Sequence, residues 1–141
     1  MKYYIIAGEA SGDLYGSKLI DEIFSIDKKA EIRFWGGDNM IKSGGYNVKH
    51  IKELAFMGFY EVLKNITTIL RNIRFCKNDI KEFNPDKIIY IDYPGFNLKI
   101  CKWAKNNGYK NYYYISPQIW AWKENRIKTI KNNIDKLFVI F

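Results

Sequence analysis

Three short segments of the chain gather the residue types that do chemistry on small polar molecules. The first, Gly8-Glu9-Ala10-Ser11-Gly12-Asp13, follows the apolar run Tyr3-Tyr4-Ile5-Ile6-Ala7 and puts two carboxylates and a hydroxyl into one glycine loop. Its glycines, at Gly8, Gly12 and Gly16, match neither the G-x-G-x-x-G dinucleotide fingerprint nor a Walker A loop, so hydride transfer and ATP hydrolysis both lose ground. Asp13 reads two ways: as the cap of a following helix, or with Glu9 as a ligand group, because this loop is more acidic than turn chemistry asks for. The second segment, Asp92-Tyr93-Pro94-Gly95-Phe96-Asn97, ends another apolar run. A carboxylate there would be partly desolvated with its pKa pushed upward, as a general base requires, or would be a turn aspartate bonding nearby amides before Pro94. In the third, Ser116-Pro117-Gln118-Ile119-Trp120-Ala121-Trp122-Lys123, the tryptophans read as packing or as a binding face. Ser116, Gln118, Lys123 and the nearby Arg126 are donors suited to a sugar or a phosphate. His50 is the only histidine, so no Ser/His/Asp set and no metal site is expected, and no cofactor.

These segments need elements to position them. Tyr3 to Ala7 reads as a strand buried on both faces, and Leu14, Leu19, Ile20, Ile23 and Phe24 recur near the helical period behind it. Ala30 to Trp35 is predicted as a second strand, Asn39 to Ser43 as a short helix closed by Gly44-Gly45, and Val48 to Ile51 as a third strand. A long basic helix is expected over Phe59 to Phe83, broken by Pro85. A strand over Lys87 to Ile91, a helix from Phe96 to Asn107, a strand over Tyr109 to Ile115, a helix over Trp122 to Asn132 and a strand from Leu137 to Phe141 complete the pattern. Alternating strands and helices predict an α/β, Rossmann-like, doubly wound parallel sheet. In the common 3-2-1-4-5-6 order, ligands bind between strands one and four, where the loops holding Glu9, Asp13 and Asp92 would share one cleft with free helix-start amides.

Composition narrows the partners. With 141 residues and 48% hydrophobic content the chain has the size and core of one domain, and disorder is excluded. Its 23 Lys+Arg against 15 Asp+Glu give +8, which favours an anionic partner without choosing one. Two cysteines, Cys76 and Cys101, support neither a disulfide framework nor a zinc module and fit a reducing compartment. No run reaches the roughly 18 to 20 apolar residues of a membrane span, and the start is too short for a signal peptide, so a cytoplasmic protein is expected.

Together the motifs Ala7 to Asp13, Ile91 to Asn97 and Tyr114 to Trp122, with Phe56-Met57-Gly58-Phe59-Tyr60-Glu61-Val62-Leu63, resemble the N-terminal half of the lipid-A-disaccharide synthase family. The resemblance implies an inverting glycosyltransferase of the GT-B fold that joins UDP-2,3-diacylglucosamine to 2,3-diacylglucosamine 1-phosphate, lipid X. The products would be the β-1′,6-linked lipid A disaccharide and UDP. The family's catalytic aspartate falls on Asp92, which would act as general base on the acceptor's 6-hydroxyl. Residues Gly8, Glu9, Ser11, Gly12, Asp13, Asn97, Ser116, Gln118, Trp120, Trp122, Lys123 and Arg126 would form the substrate site. The chain departs from many relatives at Gly95, where they carry a second acid, and at Lys123, where Arg is common and a point charge replaces a bidentate fork.

Similar enzymes are peripheral membrane proteins on the cytoplasmic face of the inner membrane. The expected helix has Phe59, Tyr60, Val62, Leu63, Ile66, Ile69 and Leu70, with Arg71 beside them, covering more of its circumference than one core stripe needs. That surface reads as a docking face for anionic lipid and acyl chains, or as a helix buried on both sides of the crevice. Because family members are more than twice as long, residues 1–141 are expected to be one acceptor-side domain lacking a C-terminal UDP-binding domain, and to be inactive alone; a homodimer is left open. Two other readings remain: a nucleotide-sugar or phosphate-binding module without turnover, and a single-stranded nucleic-acid binder, disfavoured by scattered basic residues and the lack of an RNP1-type signature.

Overall fold

A computed structural model describes residues 1–54, 66–115 and 124–139. Six parallel strands, β1 (Lys2–Ala7), β2 (Glu31–Gly36), β3 (Tyr46–His50), β4 (Lys87–Ile91), β5 (Asn111–Ile115) and β6 (Lys136–Val139), lie in the order β3-β2-β1-β4-β5-β6. This is the doubly wound order, and the α/β Rossmann-like expectation holds. The helices are α1 (Ala10–Ile26), α2 (Asp38–Ser43), α3 (Ile66–Phe83), α4 (Pro94–Asn106) and α5 (Glu124–Asn133), with a 3-10 turn over Ile51–Glu53.

The continuous apolar runs form the two central strands because both sheet faces are covered there. Tyr4 and Ile6 of β1, Trp35 of β2 and Ile88 and Tyr90 of β4 point to one face and pack on Ile73, Cys76 and Ile80 of α3, on Ile100, Cys101 and Ala104 of α4 and on Ile130 of α5. The alternate residues Ile5, Ala7, Phe34, Ile89 and Ile91 point to the other face, against Ile20 of α1 and Met40 of α2. Each fully buried Ile contributes about 1.5–3 kcal/mol, so the β1–β4 pair anchors the sheet. Right-handed crossovers explain the division, because connections running outward in opposite directions from the centre must pass on opposite faces.

The abundant aromatics are largely core. Tyr4, Phe34, Trp35, Tyr90 and Tyr113 are fully buried, and their polar ends are paired. Trp35 Nε1 donates to Tyr4 Oη at 2.8 Å, Tyr4 Oη donates to Asp79 at 2.8 Å, and Tyr90 Oη donates to Asn111 Oδ1 at 2.8 Å. Cys76 and Cys101 are free, buried thiols, and burial pushes both well above the ordinary thiol range.

Candidate functional site

The reversal of strand order falls between β1 and β4, which pair with Ala7 opposite Ile91, so the segments following both strands emerge side by side. On the β1 side the chain turns directly into α1. Gly8 is required there because a Cβ would strike the ring of Tyr93 from the opposing loop. Glu9, exposed and with extended backbone (φ −136°), is the N-cap position of α1, and its carbonyl accepts from Asp13 N at 2.9 Å.

On the β4 side two successive non-glycine residues, Asp92 (φ 45°) and Tyr93 (φ 52°), adopt the left-handed conformation. Each such residue costs on the order of 1–3 kcal/mol and persists only where surrounding structure fixes it. The fixing bonds are visible. Asp92 N donates to Tyr114 O at 2.8 Å, and Asp92 O accepts from Asn97 Nδ2 at 2.9 Å and from Tyr113 Oη. Pro94 then begins α4, pre-set for the first helical turn, and the Tyr93 ring stacks on Phe96 with centroids 5.5 Å apart. Burial, and then the charge of Glu9, push the Tyr93 phenol up.

A cleft of about 680 Å³ opens between these loops, the 3-10 turn and the start of α3. Among the described residues its walls include Gly8 and Glu9 after β1, Tyr93, Gly95, Phe96 and Lys99 after β4, and Ile51, Lys52, Leu54 and Ile69. Asp92, only 8% exposed, stands immediately before the wall residue Tyr93 and is not itself among the lining residues. No cluster of His, Cys, Asp and Glu among the described residues is arranged to hold a metal.

Two residues expected at the substrate do something else. Asp13 is 4% exposed, and its carboxylate accepts from Gly37 N at 2.7 Å, Met40 N at 3.0 Å and Asn39 N at 3.1 Å. It therefore caps α2 from outside, where the N-cap position Gly37 has no side chain of its own, and the negative charge suits a helix N-terminus. Neither sequence reading of Asp13 anticipates this, and its carboxylate is turned away from the cleft into the α1–α2 joint. Asn97 is fully buried and reaches back to both loops, donating to Ile6 O at 3.3 Å and Asp92 O at 2.9 Å. Its Nδ2 thereby ties the two loops together, while its Oδ1 is buried with no hydrogen-bond partner among the described residues. Gly12 is buried, where a Cβ would crowd Ala7, while Ser11 is exposed at the start of α1.

Of the remaining expected site residues, Ser116, Gln118, Trp120, Trp122 and Lys123 lie outside the described residues, as do Phe59, Tyr60, Val62 and Leu63 and the Arg126 side chain. The expected helix is described only from Ile66. Within it, Ile66 (56%), Leu70 (58%) and Arg71 are exposed, whereas Ile69 packs against the core and lines the cleft. Sequence reasoning passed over Tyr93, Lys52 and Lys99. Lys99 carried a signal, since it follows Gly95 by four residues and Phe96 by three and so shares their helix face.

A family model described as lipid-A-disaccharide synthetase matches residues 3–141. The chain is 40% identical over 137 residues to a lipid-A-disaccharide synthase of Coxiella burnetii (strain Dugway 5J108-111), covering 97% of this chain and 36% of that protein. It is 43% identical over 136 residues to one from Trichlorobacter lovleyi, with coverage of 96% and 36%, and 42% identical over 137 residues to one from Geobacter metallireducens. The chain thus spans about a third of the length of these curated relatives. Among solved structures, a UDP-GlcNAc 2-epimerase from Neisseria meningitidis bound to UDP-GlcNAc matches 99% of this chain and 40% of its own with a TM-score of 0.65 at 10% identity, a likeness of fold.

Proposed function

The chain belongs to the lipid-A-disaccharide synthase family, and from that premise we propose that it is the acceptor-side part of an inverting glycosyltransferase in lipid A biosynthesis. The acceptor's 6-hydroxyl oxygen attacks the anomeric carbon of UDP-2,3-diacylglucosamine, the bond from that carbon to the UDP oxygen breaks, and the hydroxyl proton passes to the Asp92 carboxylate. The acceptor is 2,3-diacylglucosamine 1-phosphate, and the products are the β-1′,6 disaccharide phosphate and UDP. Donor binding falls to the part of the relatives' length that this chain does not span.

The observation that supports this reading most directly is the left-handed Asp92–Tyr93 pair at the carboxyl end of β4, held in place at the mouth of the cleft by Asn97, Tyr113 and the β5 carbonyl of Tyr114. Backbone strain of this kind concentrates at active sites because it fixes a functional group where an unstrained turn would not. The exposed Ile66, Leu70 and Arg71 on α3 support peripheral association with an anionic membrane surface. No helix among the described residues is long and apolar enough to cross a membrane.

The test is UDP release from the two diacyl substrates by a protein spanning the relatives' full length. Asp92→Asn should lower kcat by about 10²–10⁴-fold, the usual contribution of a positioned base, with the melting temperature little changed. Near-normal turnover by that variant would refute the base assignment, and turnover by the 141-residue chain alone would refute the division of labour.

A further inference from the structure

Beyond the Asp92 loop, the cleft lining has a different chemistry. Ile51, Leu54, Ile69 and Phe96 make it apolar, and two lysines, Lys52 from the 3-10 turn and Lys99 from α4, line it as well. Among the described residues neither lysine is in an ion pair, and Glu9 is the one carboxylate that lines the cleft with them. Both lysines come from fixed backbone. Lys52 sits in the 3-10 turn, whose ends are tied by the reciprocal His50–Glu53 capping, and Lys99 lies one turn beyond Gly95 on α4. An apolar trough carrying two cations complements an anionic amphiphile; a bare sugar does not call for the trough, and an uncharged lipid does not call for the cations. The volume, about 680 Å³, falls within the range that takes a ligand of sugar size with part of a chain.

We infer that Lys52 and Lys99 are the residues that select the phosphorylated acceptor, holding its sugar phosphate while an acyl chain lies along Ile51, Leu54 and Ile69. The inference rests on the glycosyltransferase reading for the identity of the amphiphile and deepens it, because a phosphate monoester on the sugar is what distinguishes acceptor from donor. Lysines serve a phosphate as mobile point charges, so the pair tolerates the sugar's rotation as the 6-hydroxyl is brought to Asp92.

The experiment is calorimetric titration of this chain with water-soluble 2,3-dihexanoylglucosamine 1-phosphate, its unphosphorylated counterpart, glucosamine 1-phosphate and inorganic phosphate. Lys52→Gln and Lys99→Gln, both at exposed positions whose replacement should leave the melting curve unchanged, are each expected to weaken the acylated phosphate about tenfold, the worth of one charge-assisted contact. They should leave the unphosphorylated ligand unaffected, and Ile69→Gln should weaken both acylated ligands alike. Equal loss of both acylated ligands in the lysine variants, or no loss of either, would overturn the inference. So would glucosamine 1-phosphate or inorganic phosphate binding as tightly as the acylated phosphate, which would mark a plain anion site. Because binding is read without turnover, an active Asp92→Asn enzyme would remove the base assignment and leave this pattern standing.

Discussion

Asp13 and Asn97, each near the start of a helix, show how a polar residue can brace the surroundings of a cleft through distant backbone groups. Loop spacing and type made both legible as important, but the sequence carries no sign of their partners, which lie 24 to 27 residues away for Asp13 and 91 away for the Asn97 bond to Ile6. Asp92 drew notice from its place after an apolar run; the left-handed pair did not, because Asp tolerates that conformation but Tyr has no special claim to it, and the bonds from Asn97 and Tyr113 and to Tyr114 that help hold it come from distant elements. The role found for Asp13 yields a stability prediction. Asp13→Ala strips three backbone amides of their charged acceptor in a buried joint, and should cost about 3 kcal/mol in urea unfolding. A loss of ligand affinity with undiminished stability would instead return Asp13 to the cleft.

At the level of elements, the strands declared themselves through short apolar runs, and β4 matches its expected span residue for residue, Lys87–Ile91. The cleft wall was harder to foresee. The expected third strand, Val48 to Ile51, runs instead from Tyr46 to His50, and the chain then tightens into the 3-10 turn that carries Ile51 and Lys52. His50 is the reason. Its Nδ1 accepts from Lys52 N at 3.1 Å and its Nε2 lies 2.9 Å from Asp38 Oδ1, so the ring bridges two elements. That hydrogen bond, followed by charge effects from His50, Lys52 and Lys42, holds the Asp38 carboxyl below the usual carboxylate range. A depressed pKa contributes stability that is full above the unfolded value and lost as pH falls through the folded one. Acidification through the Asp38 range should therefore loosen the turn before the sheet, with the protection factor of the Lys52 amide falling as pH is lowered in a two-dimensional NMR series. Unchanged Lys52 protection down to the acid transition would show that the cap is dispensable. Helix α3 supplies a further contrast. Ile73, Cys76, Ile80 and Phe83 are its buried residues, while Ile66, at the start of the helix, and Leu70 are exposed. Ile66→Ser with Leu70→Ser should cut sedimentation with anionic vesicles severalfold and change stability by less than about 0.5 kcal/mol. Loss of the fold in that double variant would mean the two side chains are core after all.

For the molecule as a whole, the doubly wound order places the site where the fold is strongest. Strand β1 is paired on both edges and carries four consecutive fully buried residues, Tyr4 to Ala7, and β4 beside it is almost as enclosed. The opposite end of the sheet differs, for a topological reason. Among the described residues three helices cross one face and two the other, so over β5 and β6 the face holding Tyr112, Tyr114 and Phe138 has no described helix of its own. Leu137, Phe138 and Val139 are 42%, 41% and 40% exposed. Beyond its ladder with β5, β6 is tied mainly through Asp135, whose carboxylate accepts from Asn111 N at 2.7 Å and whose amide donates to Asn111 O at 2.8 Å. Local opening follows buried apolar contact, so it should begin at this edge and stop before the centre. Native-state hydrogen exchange should find the β6 amides exchanging at least 100-fold faster than those of Ile5, Ile6, Ile89 and Tyr90, and Asp135→Ala should widen the gap by accelerating β6 alone. Such a gradient leaves the Asp92 loop bedded on strands that open only with global unfolding, which is what the strained turn of the proposed base needs in order to keep its shape. Uniform protection from β1 to β6 would show that the sheet opens as one unit and that the strain at Asp92–Tyr93 is shared across the whole domain rather than borne by its centre.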